Sequence, residues 1–293
     1  MFEKVLNCPV CNNTDIRNSL ICKDFTVSEE SFAITECKSC GLKITNPRPT
    51  PPNISKYYDS QDYISHTNAS NNLINLAYKF VRLFTLGNKF NLLKKYVNHK
   101  GKLLDYGCGT GQYLEYCKNK GWTVVGVEPN TNAAKNAKSL GIQIYNTLEQ
   151  LQDNEKYDVI TLWHVLEHVH DLKSVIETLK NRLNKNGIIC VAVPNTASYD
   201  CGFYKQHWAA YDVPRHLYHF NQDSFRNFAK KIKMKIVDVL PMKFDSFYVS
   251  MLSEKNLSGK NNYSNAFKMG LKSNKWAKEN NGNYSSLIYI LKK

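Results

Sequence analysis

Residues 103–111 read LLDYGCGTG, and the architecture turns on them. A short apolar run, Leu103-Leu104, meets an acid, Asp105, and then glycines at 107, 109 and 111. Apolar residues that stop at clustered glycines describe a buried strand ending in a tight turn. Glycine lets the backbone turn sharply and lets a ligand lie against it with no Cβ in the way. A helix opening just after such a turn offers free N–H groups to a carboxylate or phosphate.

Downstream of this loop, strand and helix signals alternate. TVVGVEP (123–129), IQIYN (142–146), YDVITLW (157–163) and IICVAVP (188–194) are short β-rich runs. Between the last two, LKSVIETLKNRL (172–183) places Leu172, Val175, Ile176, Leu179 and Leu183 on one helical face, and NKNG (184–187) turns the chain into the next strand. KIVDVLP (235–241) and SSLIYILK (285–292) add two more strands. The alternation predicts an α/β fold, a parallel sheet wrapped by helices. The polar, partly helical segment 250–283 receives no role from sequence. Upstream, residues 1–46 are short, strand-like and punctuated by cysteines. NPRPTPP (46–52) is an extended break, and 71–98 carries apolar side chains at helical spacing with lysines between them. The expected organisation is 1–46, then a linker and helix over 47–100, then an α/β domain over 101–293.

Bulk composition narrows the setting. The chain has 293 residues, 42% hydrophobic and 22% charged, which describes a soluble globular protein. No run approaches the roughly 20 apolar residues of a membrane-spanning helix, and MFEKVLNCPV lacks a signal-peptide core. Nine cysteines without a secretion signal argue for metal ligands and free thiols, and a cytoplasmic location is expected. A net charge of +14 points to anionic partners: RNA, a phosphorylated metabolite or an anionic membrane face.

The glycine loop discriminates between nucleoside cofactors. A dinucleotide fingerprint wants G-x-G-x-x-G, and the sixth position here is Gln112; the lysine of a phosphate loop is absent as well. What stands is G-x-G-x-G preceded by an acid, with Glu128 ending the second strand, where a carboxylate can accept both hydroxyls of a ribose. Over about 101–293 this resembles the class I S-adenosylmethionine-dependent methyltransferases. The resemblance implies a Rossmann-like seven-stranded sheet of order 3-2-1-4-5-7-6 with the last strand antiparallel. It implies Asp105 facing the methionine amino group, and Gly107, Gly109 and Gly111 forming the loop beneath the cofactor. Glu128 is implied on the ribose, Leu148 of NTL (146–148) at the adenine edge, and Trp163 and His164 lining the same pocket.

ITLWHVLEHVH (160–170) contains His164, Glu167 and His168 in the H-x-x-E-H order of a zinc-peptidase family. In those enzymes both histidines share one long helix. Here the string follows the fourth strand and resembles the LEHV connection of methyltransferases, which disfavours the peptidase reading. Two roles stay open for Glu167 and His168: a metal, as in some ubiquinone-type O-methyltransferases, or a hydrogen bond that holds the loop.

Cys8-Pro-Val-Cys11 and Cys37-Lys-Ser-Cys40 are two C-x-x-C knuckles that suit tetrahedral structural zinc, a ribbon with no open coordination position. Asn12 and Gly41 stand where a knuckle tolerates positive φ. CGFYKQHWAAYDVPRHLYHF (201–220) follows the fifth strand and gathers aromatics around His207, His216 and His219. Within it RHLYHF (215–220) resembles the loop of deoxysugar C-methyltransferases, which also begin with a four-cysteine domain. That likeness implies His216 as general base, with Tyr211 and Arg215 assisting, or Arg215 gripping a phosphate. It also implies that YYDSQDYISH (57–66) is a lid, with Tyr63 over the cofactor. The expected acceptor is a small molecule or glycan, phosphorylated or not, methylated on oxygen or carbon. The rival is an RNA methyltransferase docking through the ribbon. It is disfavoured because residues 1–40 show no excess of basic over acidic side chains.

Overall fold

The computed structural model describes residues 1–58, 85–152 and 154–293. Most of the expected lid, Tyr63 included, and the first half of the helical run at 71–98 lie outside the described residues. Residues 85–93 are helical.

The N-terminal segment folds as strands β1 (Phe2–Glu3), β2 (Ile16–Lys23), β3 (Ser31–Cys37), β4 (Lys43–Thr45) and β5 (Arg48–Pro49). β2 and β3 form an antiparallel pair whose register runs from Ile16 opposite Cys37 to Lys23 opposite Ser31. β4 continues this sheet on one side, and its far edge is taken by β11 (Tyr218–His219), with Tyr218 opposite Ile44. The cysteine-bearing sheet is therefore completed by a strand more than 170 residues downstream. Each knuckle is a tight turn: Asn12 N–H donates to Cys8 O at 2.8 Å, and Gly41 N–H to Cys37 O at 2.9 Å. Asn12 and Gly41 adopt φ of 63° and 73°, as their positions led us to expect.

The central sheet has seven strands: β6 (Lys102–Tyr106), β7 (Thr123–Val127), β8 (Gln143–Tyr145), β9 (Tyr157–Trp163), β10 (Leu183–Pro194), β12 (Lys235–Pro241) and β13 (Ser286–Lys292). Their order is β12-β13-β10-β9-β6-β7-β8, which is the expected 3-2-1-4-5-7-6. β6 pairs in parallel with both β7 and β9, and β7 in parallel with β8. Two chain reversals meet beside β6, the place where an open α/β sheet binds ligands at its carboxyl edge.

One boundary differs from expectation. The helix Leu172–Asn181 stops two residues before Leu183, and NKNG lies inside β10 rather than in a separate turn. The buried Leu183 folds over Gly187, where any Cβ would lie 2.8 Å from Leu183 Cδ1. Asn184 Nδ2 donates to Asp158 Oδ1 at 2.7 Å and ties the new strand to the start of β9. Leu183 continues the helical apolar spacing, so periodicity alone gave no reason to end the helix before it.

Residues 250–283 fall mainly in two helices, Asp245–Ser258 and Tyr263–Glu279. They cross closely because Gly270 leaves room for the Phe247 ring, 2.4 Å from where a Cβ would stand. The second helix is pinned by Ser273, which donates to the buried Asp200 together with Trp208 Nε1 and Ser285, all at 2.7 Å. No described helix is long and apolar enough to cross a membrane. By internal contacts the chain divides into two compact units. One is Met1–Ile64, Leu166–Lys173 and Ala192–Tyr289; the other is Ser65–Val165, Ser174–Val191 and Ile290–Lys293.

Candidate functional site

Within the unit that carries β6 to β9, the residues after LLDY form a cradle. Gly107, Gly109 and Gly111 take φ of 75°, 55° and 80°, a region that favours glycine. The three differ in their surroundings. A Cβ on Gly107 would lie 2.5 Å from Val165 Cγ2, and one on Gly111 2.7 Å from Ala137 Cβ. One on Gly109 would project into space with nothing within 4 Å. The outer glycines thus serve close packing, while Gly109 leaves backbone open to a ligand.

Two buried acids face this loop. Glu128 is fixed by backbone amides, accepting from Gly109 N–H at Oε2 and from Asn130 N–H at Oε1, both at 2.8 Å. Asp105 Oδ1 accepts from the Thr161 hydroxyl at 2.6 Å. Burial pushes the Asp105 carboxyl up to about 7, against the Thr161 hydrogen bond and the Lys89 charge that favour its ionised form. A ligand ammonium would remove that penalty. Trp163, at the end of β9, holds its indole Nε1 buried without an acceptor among the described residues, and Lys89 Nζ lies 4.3 Å from its ring centroid. His164 follows with φ of 56°, a strained backbone for a non-glycine residue. Leu148 is buried at the start of a short 3-10 turn, its carbonyl accepting from Arg182. An open glycine backbone, an unneutralised buried acid, a fixed carboxylate and an orphan indole N–H fit an amino-acid nucleoside such as S-adenosylmethionine. Thr161 and Lys89 were missed by sequence reasoning. Thr161 is an ordinary strand residue, and Lys89 is one of several lysines on an amphipathic run.

In the other unit, the YDVPRH segment presents His216. Its Nδ1 lies 2.9 Å from Ala210 O. A carbonyl only accepts, so Nδ1 carries a proton, and in the neutral tautomer Nε2 is the nitrogen with the free lone pair. Nε2 lies 4.0 Å from Glu167 Oε1 and 3.9 Å from Asp212 Oδ2. The His168 ring stands edge-on to His216 with centroids 4.5 Å apart, and its Nδ1 is 3.0 Å from Arg215 O and 2.9 Å from the Tyr58 hydroxyl. Burial, and then the nearby His216, lower His168 to about 4, so it is neutral at pH 7. Ligand atoms of Glu167, His168 and His216 lie within 4.8 Å of one another, so these three have the donors to hold a cation.

Arg215 and Tyr211 are interior. Arg215 is 1% exposed; it donates Nε–H and Nη2–H to Asp212, Nη1–H to Tyr57 O and Nη2–H to Asp24. An arriving phosphate would have to displace these partners. The Tyr211 hydroxyl accepts from the Cys201 thiol at 3.4 Å, within a cluster containing Trp208, Tyr57 and Phe32. Of the loop aromatics at 203–220, Phe203 is exposed, while Tyr204, Trp208, Tyr211, Tyr218 and Phe220 are buried packing residues.

The four N-terminal cysteines converge. Cys8 and Cys40 sulfurs are 3.5 Å apart, Cys11 and Cys37 sulfurs 3.4 Å, and all four lie within 4.8 Å of one another with no disulfide formed. A tetrahedral zinc with Zn–S of about 2.3 Å sets its sulfurs about 3.8 Å apart, so the donor set fits.

Residues 80–239 match the family described as "Methyltransferase domain". A ubiquinone biosynthesis O-methyltransferase of Actinobacillus pleuropneumoniae serotype 5b (strain L20) is 36% identical over 107 residues, 32% of this chain and 46% of that protein. The enzyme of the same name from Pelagibacter ubique (strain HTCC1062) is 34% identical over 102 residues, 32% of this chain and 42% of its own. The chain thus spans about half the length of the curated relatives it matches. The plantazolicin methyltransferase BpumL in complex with SAH superposes with a TM-score of 0.52 at 15% identity, covering 82% of this chain and 93% of its own. A SAM-dependent methyltransferase from Archaeoglobus fulgidus gives 0.50 at 17% identity, covering 76% and 100%.

Proposed function

The chain belongs to the methyltransferase-domain family and has its class I fold, and from this membership we propose that it transfers a methyl group from S-adenosylmethionine to a small-molecule acceptor, with His216 as general base. The observation that carries the base assignment is the His216 hydrogen bond to Ala210 O, which fixes the tautomer with Nε2 basic. Bound S-adenosylmethionine supplies an electrophilic methyl carbon on a sulfonium. In this reading Asp105 receives the methionine ammonium, Glu128 the ribose hydroxyls, and Leu148, Trp163 and His164 line the rest. His216 Nε2 takes the proton of an acceptor hydroxyl or acidic carbon, and the Glu167 and Asp212 carboxylates stabilise the imidazolium that results. Arg215 and Tyr211 act by holding the histidine segment in place. The acceptor is a hydroxylated ring or sugar, and the ubiquinone O-methyltransferase relatives favour transfer to oxygen. Cys8, Cys11, Cys37 and Cys40 would hold a structural zinc, which with four thiolate ligands would supply no chemistry to the acceptor.

Equilibrium dialysis with labelled S-adenosylmethionine, followed by turnover on a panel of hydroxylated rings and nucleotide sugars, tests this reading. Asp105→Asn and Glu128→Ala should weaken cofactor binding at least about tenfold. His216→Gln should keep binding and lose turnover about 10²-fold or more. A His216→Gln enzyme with full turnover would remove the base; absence of cofactor binding by the wild type would remove the whole reading.

A further inference from the structure

The helices Asp245–Ser258 and Tyr263–Glu279 stand outside the proposed chemistry, yet they carry a group of exposed large apolar side chains. Tyr263, Phe267 and Leu271 occur at i, i+4 and i+8 of the second helix and are 64%, 59% and 51% exposed. Side chains at that spacing form one continuous stripe. Phe244, which caps the first helix, and Tyr248 on it are half exposed, and the Phe247 ring packs beside Phe267 with centroids 5.4 Å apart. The apolar surface therefore runs across the seam between the two helices. Exposed aromatic and aliphatic residues grouped in this way mark a binding surface rather than ordinary scatter.

Charge identifies the occupant. Residues 243–279 contain seven lysines and three acids, and all seven lysines are exposed. One of the acids, Glu254, is buried and accepts from the Tyr204 hydroxyl, so it does not offset the surface charge. Lys268 follows Phe267 by one position, about 100° around the helix, where a long stem can lie along an apolar surface while the ammonium reaches outward. Exposed Lys275 stands four residues beyond Leu271; Lys272 Nζ instead lies 4.9 Å from the Tyr199 ring centroid. A second copy of this basic face would be repelled. Nucleic acid would use the lysines and the rings but gains nothing from Leu271. An anionic bilayer answers both features at once: headgroups take the ammonium groups, and the acyl boundary takes Phe267 and Leu271.

We propose that this helix pair docks the protein on an anionic membrane surface, lying in the interface plane rather than spanning it. The inference does not depend on the methyltransferase reading, because it uses no residue of the cradle or of the His216 segment.

The test is flotation of the full chain with vesicles of phosphatidylcholine alone and with vesicles of phosphatidylcholine and phosphatidylglycerol in equal parts. Wild-type protein should float with the anionic vesicles about tenfold more than with the neutral ones, and added salt should reduce the difference. Tyr263→Asp/Leu271→Asp and Lys268→Glu/Lys275→Glu should each lower flotation about tenfold while thermal melting stays unchanged, since these side chains are exposed. Equal flotation with both vesicle types, no flotation, or flotation untouched by either variant would overturn the proposal. So would a mixed-sequence RNA shift lost only in the lysine variant, or a dimer in sedimentation equilibrium that the Asp variant dissociates without affecting flotation.

Discussion

Arg215 Nη2–H donates to Asp24 Oδ1 at 2.9 Å, and the two side chains are 1% and 0% exposed. They are separated by 191 positions in sequence. The pair joins the loop after β2 to the segment that carries His216, and Tyr57 O closes the group from the short 3-10 turn Ser55–Tyr58. Removing one partner leaves an uncompensated buried charge. Asp24→Ala should therefore cost about 3–5 kcal/mol in urea unfolding. Replacing both partners by apolar residues (Asp24→Leu with Arg215→Met) should cost less than either single change. A loss below about 1 kcal/mol for Asp24→Ala would show that the pair does not hold the segment.

The same group sets an acid limit. Burial raises Asp24, but the hydrogen bond from Arg215 and backbone amides outweigh it, and the carboxyl ends below its usual range. For Asp212 the burial cost is again overcome, chiefly by the Arg215 charge. A depressed acid stabilises the fold above its unfolded pKa of about 3.9, and that contribution is lost as pH falls through the folded value. The stability gap between wild type and Asp24→Asn should be full near neutral pH and narrow below about pH 4. A gap that stays constant down to pH 2 would contradict this.

Asp105 has the opposite sign. Burial raises it to about 7, so its charged form is disfavoured and the fold loses that contribution as pH rises through 7. Binding of an ammonium requires the ionised form. Cofactor affinity should rise about tenfold from pH 6 to pH 8 and then level off. In Asp105→Asn the affinity should be weak and nearly flat over the same interval, as read by calorimetry.

Gly107 and Gly109 separate packing from binding. Gly107→Ala drives a methyl into Val165 and adds backbone strain, so it should lose about 2–4 kcal/mol of stability. Gly109→Ala meets no atom and should lose about 1–2 kcal/mol from φ alone, yet weaken cofactor binding at least about tenfold. Equal effects of the two changes on binding, relative to stability, would remove Gly109 from the contact surface.

The cysteine cluster should hold one zinc per chain by elemental analysis. Cys37→Ser or chelation should release it and lower the melting temperature by about 10 °C. Because β11 completes the sheet that bears Cys37, loss of metal should also disturb the histidine segment, visible as reduced turnover. A metal-free preparation with an unchanged melting curve would argue that the thiols pack without an ion.

Much of this was legible in the residues. LLDYGCGTG gave the first strand, the turn and the acid, because glycine at positive φ and a terminal buried carboxylate are local requirements. The alternating runs after it led to an α/β sheet wrapped by helices, and the resemblance to class I methyltransferases supplied the strand order that the sheet shows. The two C-x-x-C pairs led to the cysteine cluster for the same reason, since each knuckle closes within a few residues. Leu183 was misplaced because its apolar spacing suits a helix equally well, and the contact with Gly187 that places it in β10 is not a periodic signal.

Local chemistry, then, was sufficient for the glycine cradle, the alternation of strands and helices and the metal-ligand spacing. Only the tertiary structure revealed that Arg215 is a buried clamp on Asp24, that Tyr218–His219 finish the cysteine sheet, and that Thr161 and Lys89 tune Asp105. Each of these depends on residues distant in the chain meeting in a low-dielectric interior. Burial, which sets the energy of a charge or a hydrogen bond there, is a property of the packed whole and leaves no mark on a short string of residues.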